Sequence, residues 1–353
     1  MEQSLFTRIA LHASVPLVTR ILIFLNMLVF VLMLLGGAGF WHSPNTVQLV
    51  WGANFAPATA DGQWWRLGSA MFLHFGALHL GMNMLALWDG GKLVERMFGA
   101  YRFLVIYLIS GVVGNLLSLV IQGNDAVSGG ASGAVFGIYG ALMVYVWFAR
   151  HQMQQVEFRW LFLGALAFSA LTIAMGYIVP GIDNSAHIGG FATGIVVAVM
   201  LLPATVTSHQ ALRHELHWVQ WIAGAAWVIA TFWMLAHLPT PKYRWQQELA
   251  IQKQVQKLSL VDQQAQRKWQ RIVLEGQEGN VSFDDMASQI DAQVATPYEE
   301  SFEKLSSLSD DPKLPSAALL EQAKAYALKR SEASKAAAER LRNIPFMPEK
   351  PGS

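Results

Sequence analysis

Seven apolar segments, each near the length of a bilayer crossing, follow one another between residues 16 and 238. A membrane-spanning helix needs about 20 predominantly apolar residues to cover the hydrocarbon layer. The candidate spans are 16–37, 77–96, 101–121, 131–149, 160–179, 185–203 and 217–238. The second is the least clear, because Asp89 and Lys92 fall in its inner half and apolar residues begin earlier, near Leu67. The first carries an uncharged run from Ile21 to Phe40, long enough to span, and is expected to be an uncleaved anchor. The expected fold class is an all-α polytopic membrane protein.

Charge divides the chain in two. Residues 1–240 hold nine Lys/Arg and eight Asp/Glu, whereas residues 241–353 hold sixteen of each. The net charge of +1 argues against a nucleic-acid partner, which would call for a basic excess. The absence of cysteine excludes disulfides, a thiolate nucleophile and a Cys-based metal site. Arg8, Arg20, Lys92, Arg96, Arg102, Arg150, Arg159 and Arg213 all fall on one side of the seven spans. The opposite loops carry Asp61, Asp125 and Asp183, with only Arg66 against. Positive loops face the cytoplasm, so the N-terminus is expected there and the C-terminal region outside. Lys242 and Arg244, just past the last span, count the other way.

Within this apolar region, the costly residues are polar ones at helix mouths. Ser132 lies in Gly130-Ala131-Ser132-Gly133, His187 in Ala186-His187-Ile188-Gly189-Gly190, and His79 and Asn83 in His79-Leu80-Gly81-Met82-Asn83. Polar and ionisable groups in a bilayer are functional candidates by default. At 1.5 Å per residue, Ser132, His187 and His79 lie within one or two turns of the outer surface. Asn83, at i+4 from His79, shares its helix face. A serine, a histidine base and polar donors at one depth are the parts of a serine hydrolase. Each part alone has a plainer reading. Gly-Ala-Ser-Gly and Gly190–Gly194 suit helix packing, and His79 with Asn83 could tie helices together. Trp41, Trp51, Trp64 and Trp65 read as an interfacial belt, and Asp89, Lys92, Glu95 and Arg96 as a structural cytoplasmic cluster. A transporter would favour helices broken at midplane and internal repeats, and the sequence has neither. The conjunction points to an enzyme working inside the membrane.

The same residues resemble the rhomboids, the intramembrane serine proteases. The resemblance runs from about Leu17 to Pro203. It takes in Trp65-Arg66, the stretch from His74 to Asn83, Glu95 to Gly99, Gly130 to Gly133, and Ala186 to Gly194. It implies a six-helix core plus one C-terminal transmembrane helix (6+1), followed by a soluble helical tail. The corresponding regions are an N-terminal cytoplasmic segment (1–15), a six-span catalytic core (16–203), a linker with the seventh helix (204–240) and an α-helical C-terminal region (241–353). By resemblance, Ser132 is the nucleophile and His187 its general base, with no acid. His79, Asn83 and the Ser132 backbone N–H would hold the oxyanion, and Gly130, Gly133, Phe136 and Gly190 would support them. Related enzymes often carry Tyr where this chain has Phe136; an aromatic ring is kept and a hydroxyl is not. The implied activity is cleavage of transmembrane segments of membrane proteins near the outer face of a bacterial inner membrane, with no cofactor and no metal. The alternative is an inactive rhomboid-like protein that binds or escorts membrane proteins; intact Ser132 and His187 argue against it.

Several physical requirements follow. Hydroxyl nucleophiles need an adjacent base, so the fourth and sixth helices must approach closely, which Gly133, Gly189, Gly190 and Gly194 permit. Water for deacylation must enter from outside, past the loops near 122–130 and 180–185. The tail has no histidine and falls outside the resemblance. It reads as helix from Arg244 to Glu275, a capping box at Ser282-Phe283-Asp284-Asp285, a turn at Ser309–Pro312 and a helical run from Pro315-Ser316 to Arg342. A small helical module that binds a protein partner is expected, with a solvated spacer as the plainer alternative.

Overall fold

The structure is a computed structural model that describes residues 15–203, 206, 210–279 and 281–344. Residues 1–14, with Arg8, and most of the 204–209 linker lie outside the described residues, as does the side chain of Arg213. The chain divides into two compact units, Met1–Pro241 and Lys242–Ser353.

Among the described residues, seven longer helices build the first unit: α1 (Leu17–Leu35), α2 (Ala77–Phe98), α3 (Ala100–Gln122), α4 (Ser132–Ala149), α5 (Gln155–Ile178), α6 (Asn184–Met200) and α7 (Gln210–Ala236). Among the described residues, five helices are long and apolar enough to cross a membrane alone, counting α4 with its extension to Gln152 and α7 from Leu216. The pair Arg66–Phe72 and Ala77–Phe98 passes the same test only jointly and is bent by 94°, and α6 is shorter. The chain is an integral, multi-pass membrane protein. The early apolar residues near Leu67 therefore belong to a lateral segment and not to α2. Two helices start earlier than hydropathy marks them. In α5 the polar first turn is closed by a capping box of Gln154 and Glu157, which satisfies N–H groups that would otherwise lack partners. In α7 helical turns from Gln210 precede the apolar stretch.

Helix α4 is the centre of this unit. Of its apolar window 78% is buried, against 11% for α5 and for α7. It packs on α2, α3, α5 and α6. Between α4 and α6 the contact is backbone on backbone: a Cβ at Gly190 would overlap the carbonyl of Gly133, and one at Gly194 that of Gly137. Lipid tails are as apolar as leucine, so close packing, not burial from water, holds such helices together. At the opposite ends of the helices, Glu95 of α2 closes the start of α1, accepting from the backbone N–H groups of Val18 (2.9 Å) and Thr19 (2.8 Å) and from the Thr19 hydroxyl (2.7 Å). Carboxylates at helix N-termini satisfy orphan donors and oppose the dipole.

The excursion between α1 and α2 is held over α3 by polar contacts. Strand β1 (Asn54–Phe55) pairs antiparallel with β2 (Val127–Ser128). Asn54 Nδ2 donates to the carbonyl of Asn115 (2.9 Å), and Asn115 Nδ2 donates to that of Leu67 (2.8 Å). Arg66 donates to the carbonyls of Leu49 (2.8 Å) and Ala53 (2.9 Å), so this guanidinium serves as an internal tie.

The second unit is helical with its own apolar core: α8 (Trp245–Gln277), α9 (Phe283–Ile290), a π-helical turn (Asp291–Ala295), α10 (Thr296–Ser306) and α11 (Ala317–Arg342). Ile251, Leu258, Ala265 and Ile272 are buried at every seventh position of α8, a heptad seam. Ser282 caps α9, accepting from the Asp285 N–H (3.1 Å), but its hydroxyl also donates to the Asp285 carboxylate (2.7 Å), so the box closes side chain to side chain. The π turn coincides with Pro297, which offers no N–H to the preceding turn.

Candidate functional site

Ser132 opens α4, and its own position in the helix matters chemically. The first N–H groups of a helix have no intrahelical acceptor, so the backbone N–H of Ser132 points out of the helix mouth. The preceding Gly130 has φ +142°, a conformation that L side chains rarely adopt. Its N–H donates to the carbonyl of Ala70 (2.8 Å), which holds the turn against the lateral segment. A Cβ built on Gly130 would lie 2.9 Å from Cε1 of His79 and 3.8 Å from Oγ of Ser132. Glycine here thus lets the His79 ring and the serine hydroxyl border one space.

His187 sits on the first turn of α6, 5% exposed, and its ring stacks on Phe136 at 4.3 Å and 10°. Phe136 is one turn below Ser132 on α4 and is itself buried. Stacking of this kind contributes about 0.5–1.5 kcal/mol and, more to the point, fixes the plane of the imidazole. The two helix mouths are brought together by small residues: a Cβ on Gly133 would lie 3.2 Å from the carbonyl of Ala186, the residue before His187. Nδ1 of His187 is buried and makes no hydrogen bond among the described residues.

His79 lies near the start of α2. The N–H of Phe75 approaches its Nδ1 at 3.5 Å, a long contact compatible with a proton on Nε2. A donor Nε2 beside Gly130 and Ser132 suits an oxyanion. Asn83 is arranged differently from the other three. Its Nδ2 donates to the carbonyl of His79 in its own helix (2.9 Å), so one of its two amide N–H groups is spent within α2. A hydroxyl and an imidazole on a fixed ring plane are the parts of nucleophilic attack on a carbonyl, and outward N–H groups at a positive helix end can stabilise the charge that develops on its oxygen.

Two residues of this neighbourhood go unmarked as individuals in the sequence. His74 is fully buried and packs edge-on against His79, with ring centroids 5.1 Å apart. Asp183, which reads as a loop charge, is the N-cap of α6, and its carboxylate also accepts from Ser118 and Ser128. An acidic residue three positions before the first buried residue of a helical run is the signal that would have marked the cap.

Residues 61–204 match the family model described as the Rhomboid domain. The chain is 40% identical over 187 residues to the rhomboid protease GluP of Bacillus subtilis (strain 168), covering 53% of this chain and 35% of that protein. To RHOMBOID-like protein 4 of Arabidopsis thaliana it is 39% identical over 163 residues, 45% of this chain and 40% of the relative. To YdcA, a rhomboid-named protein of the same Bacillus strain, it is 36% identical over 141 residues, 40% of this chain and 69% of the relative. The chain thus spans less than half of the first two relatives and more than two thirds of the third. On this match, and on a site built from the residues that carry the resemblance, the chain belongs to the rhomboid family.

Proposed function

We propose that this chain is an intramembrane serine endopeptidase that cuts transmembrane segments of membrane proteins near the outer face of the bilayer. Ser132 attacks the scissile carbonyl, and His187 takes its proton and later returns it to the leaving amine. The oxyanion is held by the Ser132 backbone N–H and by Nε2 of His79, with the second amide N–H of Asn83 as a further donor. The observation that carries this reading is the junction of α4 and α6: glycine contacts press their mouths together while Phe136 holds the His187 ring in plane beside the turn that bears Ser132. A helical amide is already hydrogen-bonded, so a substrate must unwind locally before attack. Depth near the outer surface brings water for deacylation. The names of the relatives, proteases among them, support the same class.

Six helices form the catalytic core and α7 is the added seventh; the N-terminus faces the cytoplasm of a bacterial cell and residues 241–353 lie outside, as a helical module for a protein partner. Incubation of the purified chain with a reporter bearing one transmembrane segment tests the activity. Cleavage by the natural sequence and none by Ser132→Ala is expected, with the cut mapped by mass spectrometry to the outer part of the reporter's span. Equal cleavage by both, or a cut at the cytoplasmic edge, contradicts the proposal.

A further inference from the structure

Three elements of the site meet at one carboxylate. Oδ1 of Asp183 accepts from the backbone N–H of Ala186 at 3.0 Å, the ordinary bond of an N-cap. Oδ2 accepts twice more, from the hydroxyl of Ser118 on α3 at 2.5 Å and from that of Ser128 on β2 at 2.6 Å. Both serines are buried, at 2% and 9% exposure. Capping needs only the first of these bonds. The other two run to separate elements, and each has a consequence for the dyad. Ser128 lies four residues before Ser132, on the strand that leads into the Gly130 turn. Ala186 is the immediate neighbour of His187. One side chain therefore joins the helix start that carries the base to the strand that delivers the nucleophile, with α3 as the common anchor.

The chemistry suits a carboxylate. Two hydroxyls and one N–H are all donors here, and an ionised carboxylate only accepts, through two oxygens with room for about four bonds. Hydrogen bonds from hydroxyls to a carboxylate are the short, strong kind, of about 2.5–2.7 Å.

We propose that Asp183 is a positioning residue for the dyad: it sets the register of the first turn of α6 against the Val127–Ser132 segment, so that His187 meets Ser132 already aligned. This rests on the protease reading above. Asp183 touches neither Ser132 nor the His187 ring through any of these bonds, so its loss slows the chemical step and leaves substrate binding in place. Displacement of a reacting group by about 1 Å costs on the order of a hundredfold in rate.

Steady-state cleavage of the single-span reporter by the full chain, scored per folded molecule, tests this. Asp183→Ala is expected to lower kcat about 10- to 100-fold with KM within about twofold. Asp183→Asn keeps a cap acceptor and an amide that the serine oxygens can accept from, and recovers most of the rate. Ser128→Ala leaves the cap intact and removes one tie; it slows kcat to a smaller degree, and adding it to Asp183→Ala changes nothing further, since both remove the same link. Should Asp183→Ala not fold, the Ser118→Ala/Ser128→Ala pair carries the test, with the same fall in kcat at unchanged KM. Wild-type kcat in the folded variants, a rise in KM as large as the fall in kcat, or additive effects of Asp183→Ala and Ser128→Ala overturn the inference. Those outcomes leave Ser132-dependent cleavage by the natural sequence standing; its absence sinks the protease reading and this inference together.

Discussion

Helix α4 of the first unit, 78% buried over its apolar window, and helix α8 of the second, buried along one face only, are held by different means. Along α4 the contact residues are glycines, and a Cβ at Gly190 or Gly194 on the facing helix would overlap backbone oxygen. Along α8 they are Ile251, Leu258, Ala265 and Ile272, a one-sided seam on a helix otherwise rich in Gln, Lys and Arg. In water, an apolar stripe is enough to bring helices together, and polar residues cover the rest. In lipid that force is absent, and backbones must approach directly. Polar groups differ as well. In the second unit charged pairs such as Lys335 of α11 with Glu299 of α10, at 2.7 Å, lie exposed, although Glu248 of α8 is buried and accepts from Ser316. In the first unit several polar groups tie elements together: Glu95, Asn115 and the half-buried Asp183 each join two or more elements.

The contrast predicts where change is tolerated. The largest effect is expected from Gly190→Leu, because its side chain meets the Gly133 backbone, which cannot yield as a side chain would. Overpacking of this kind costs about 1–3 kcal/mol, occasionally more. Thermal unfolding in detergent should show a lower midpoint and cleavage should vanish; a variant as stable and active as wild type would deny that α4 and α6 pack through backbone. His79→Ala should lower kcat about 100- to 1000-fold, the usual cost of losing one oxyanion donor, with the melting midpoint little changed. A lower midpoint with unchanged specific activity would make His79 a structural tie instead. Ile251→Ala in the heptad seam should destabilise the second unit by about 2–5 kcal/mol, seen as faster amide exchange along α8, while reporter cleavage stays at the wild-type rate. Loss of cleavage would show that the second unit is needed for the chemistry. The smallest effect concerns Asp262. Partial burial would raise its pKa, but hydrogen bonds from Tyr326 (2.5 Å) and Tyr298 (2.7 Å), with Arg330 nearby, outweigh this and hold it below the usual carboxylate range. A depressed carboxylate adds stability above its unfolded pKa of about 3.9 that is lost as pH falls through the lower folded value. Asp262→Asn should therefore reduce the acid sensitivity of the second unit by a small margin, as for most exposed pairs; an unchanged acid transition would remove Asp262 as a contributor.

How far this was legible beforehand follows the same division. The apolar runs mark α1, α3 and α4 to within a residue or two, because lipid demands an uninterrupted apolar length. They miss the starts of α5 and α7, where polar helical turns precede the apolar part and hydropathy does not register them. The lateral segment Arg66–Phe72 is as apolar as a span, and only its 94° bend separates it from α2. Ser132, His187 and His79 stand out because each is costly in its setting. Asp183 and Arg66 do not, since a charge in a short loop reads as topology until its partners are known. The bond from Asn83 back to its own helix depends on a rotamer, which spacing does not specify. In the second unit the helices are legible from caps and turns, but the π turn at Asp291–Ala295 arises where Pro297 interrupts the ladder of a run that otherwise reads as continuous helix.

If Ser132 is a nucleophile activated by His187, covalent labelling should depend on both residues. A fluorophosphonate probe reacts with a serine only where a base removes its proton and an oxyanion site receives the charge. The purified, folded chain should take up one probe per molecule at Ser132, read by mass spectrometry, while Ser132→Ala and His187→Ala, with unchanged melting midpoints, take up none. Labelling of His187→Ala at the wild-type rate, or no labelling of the natural sequence, would rule out a Ser132–His187 dyad.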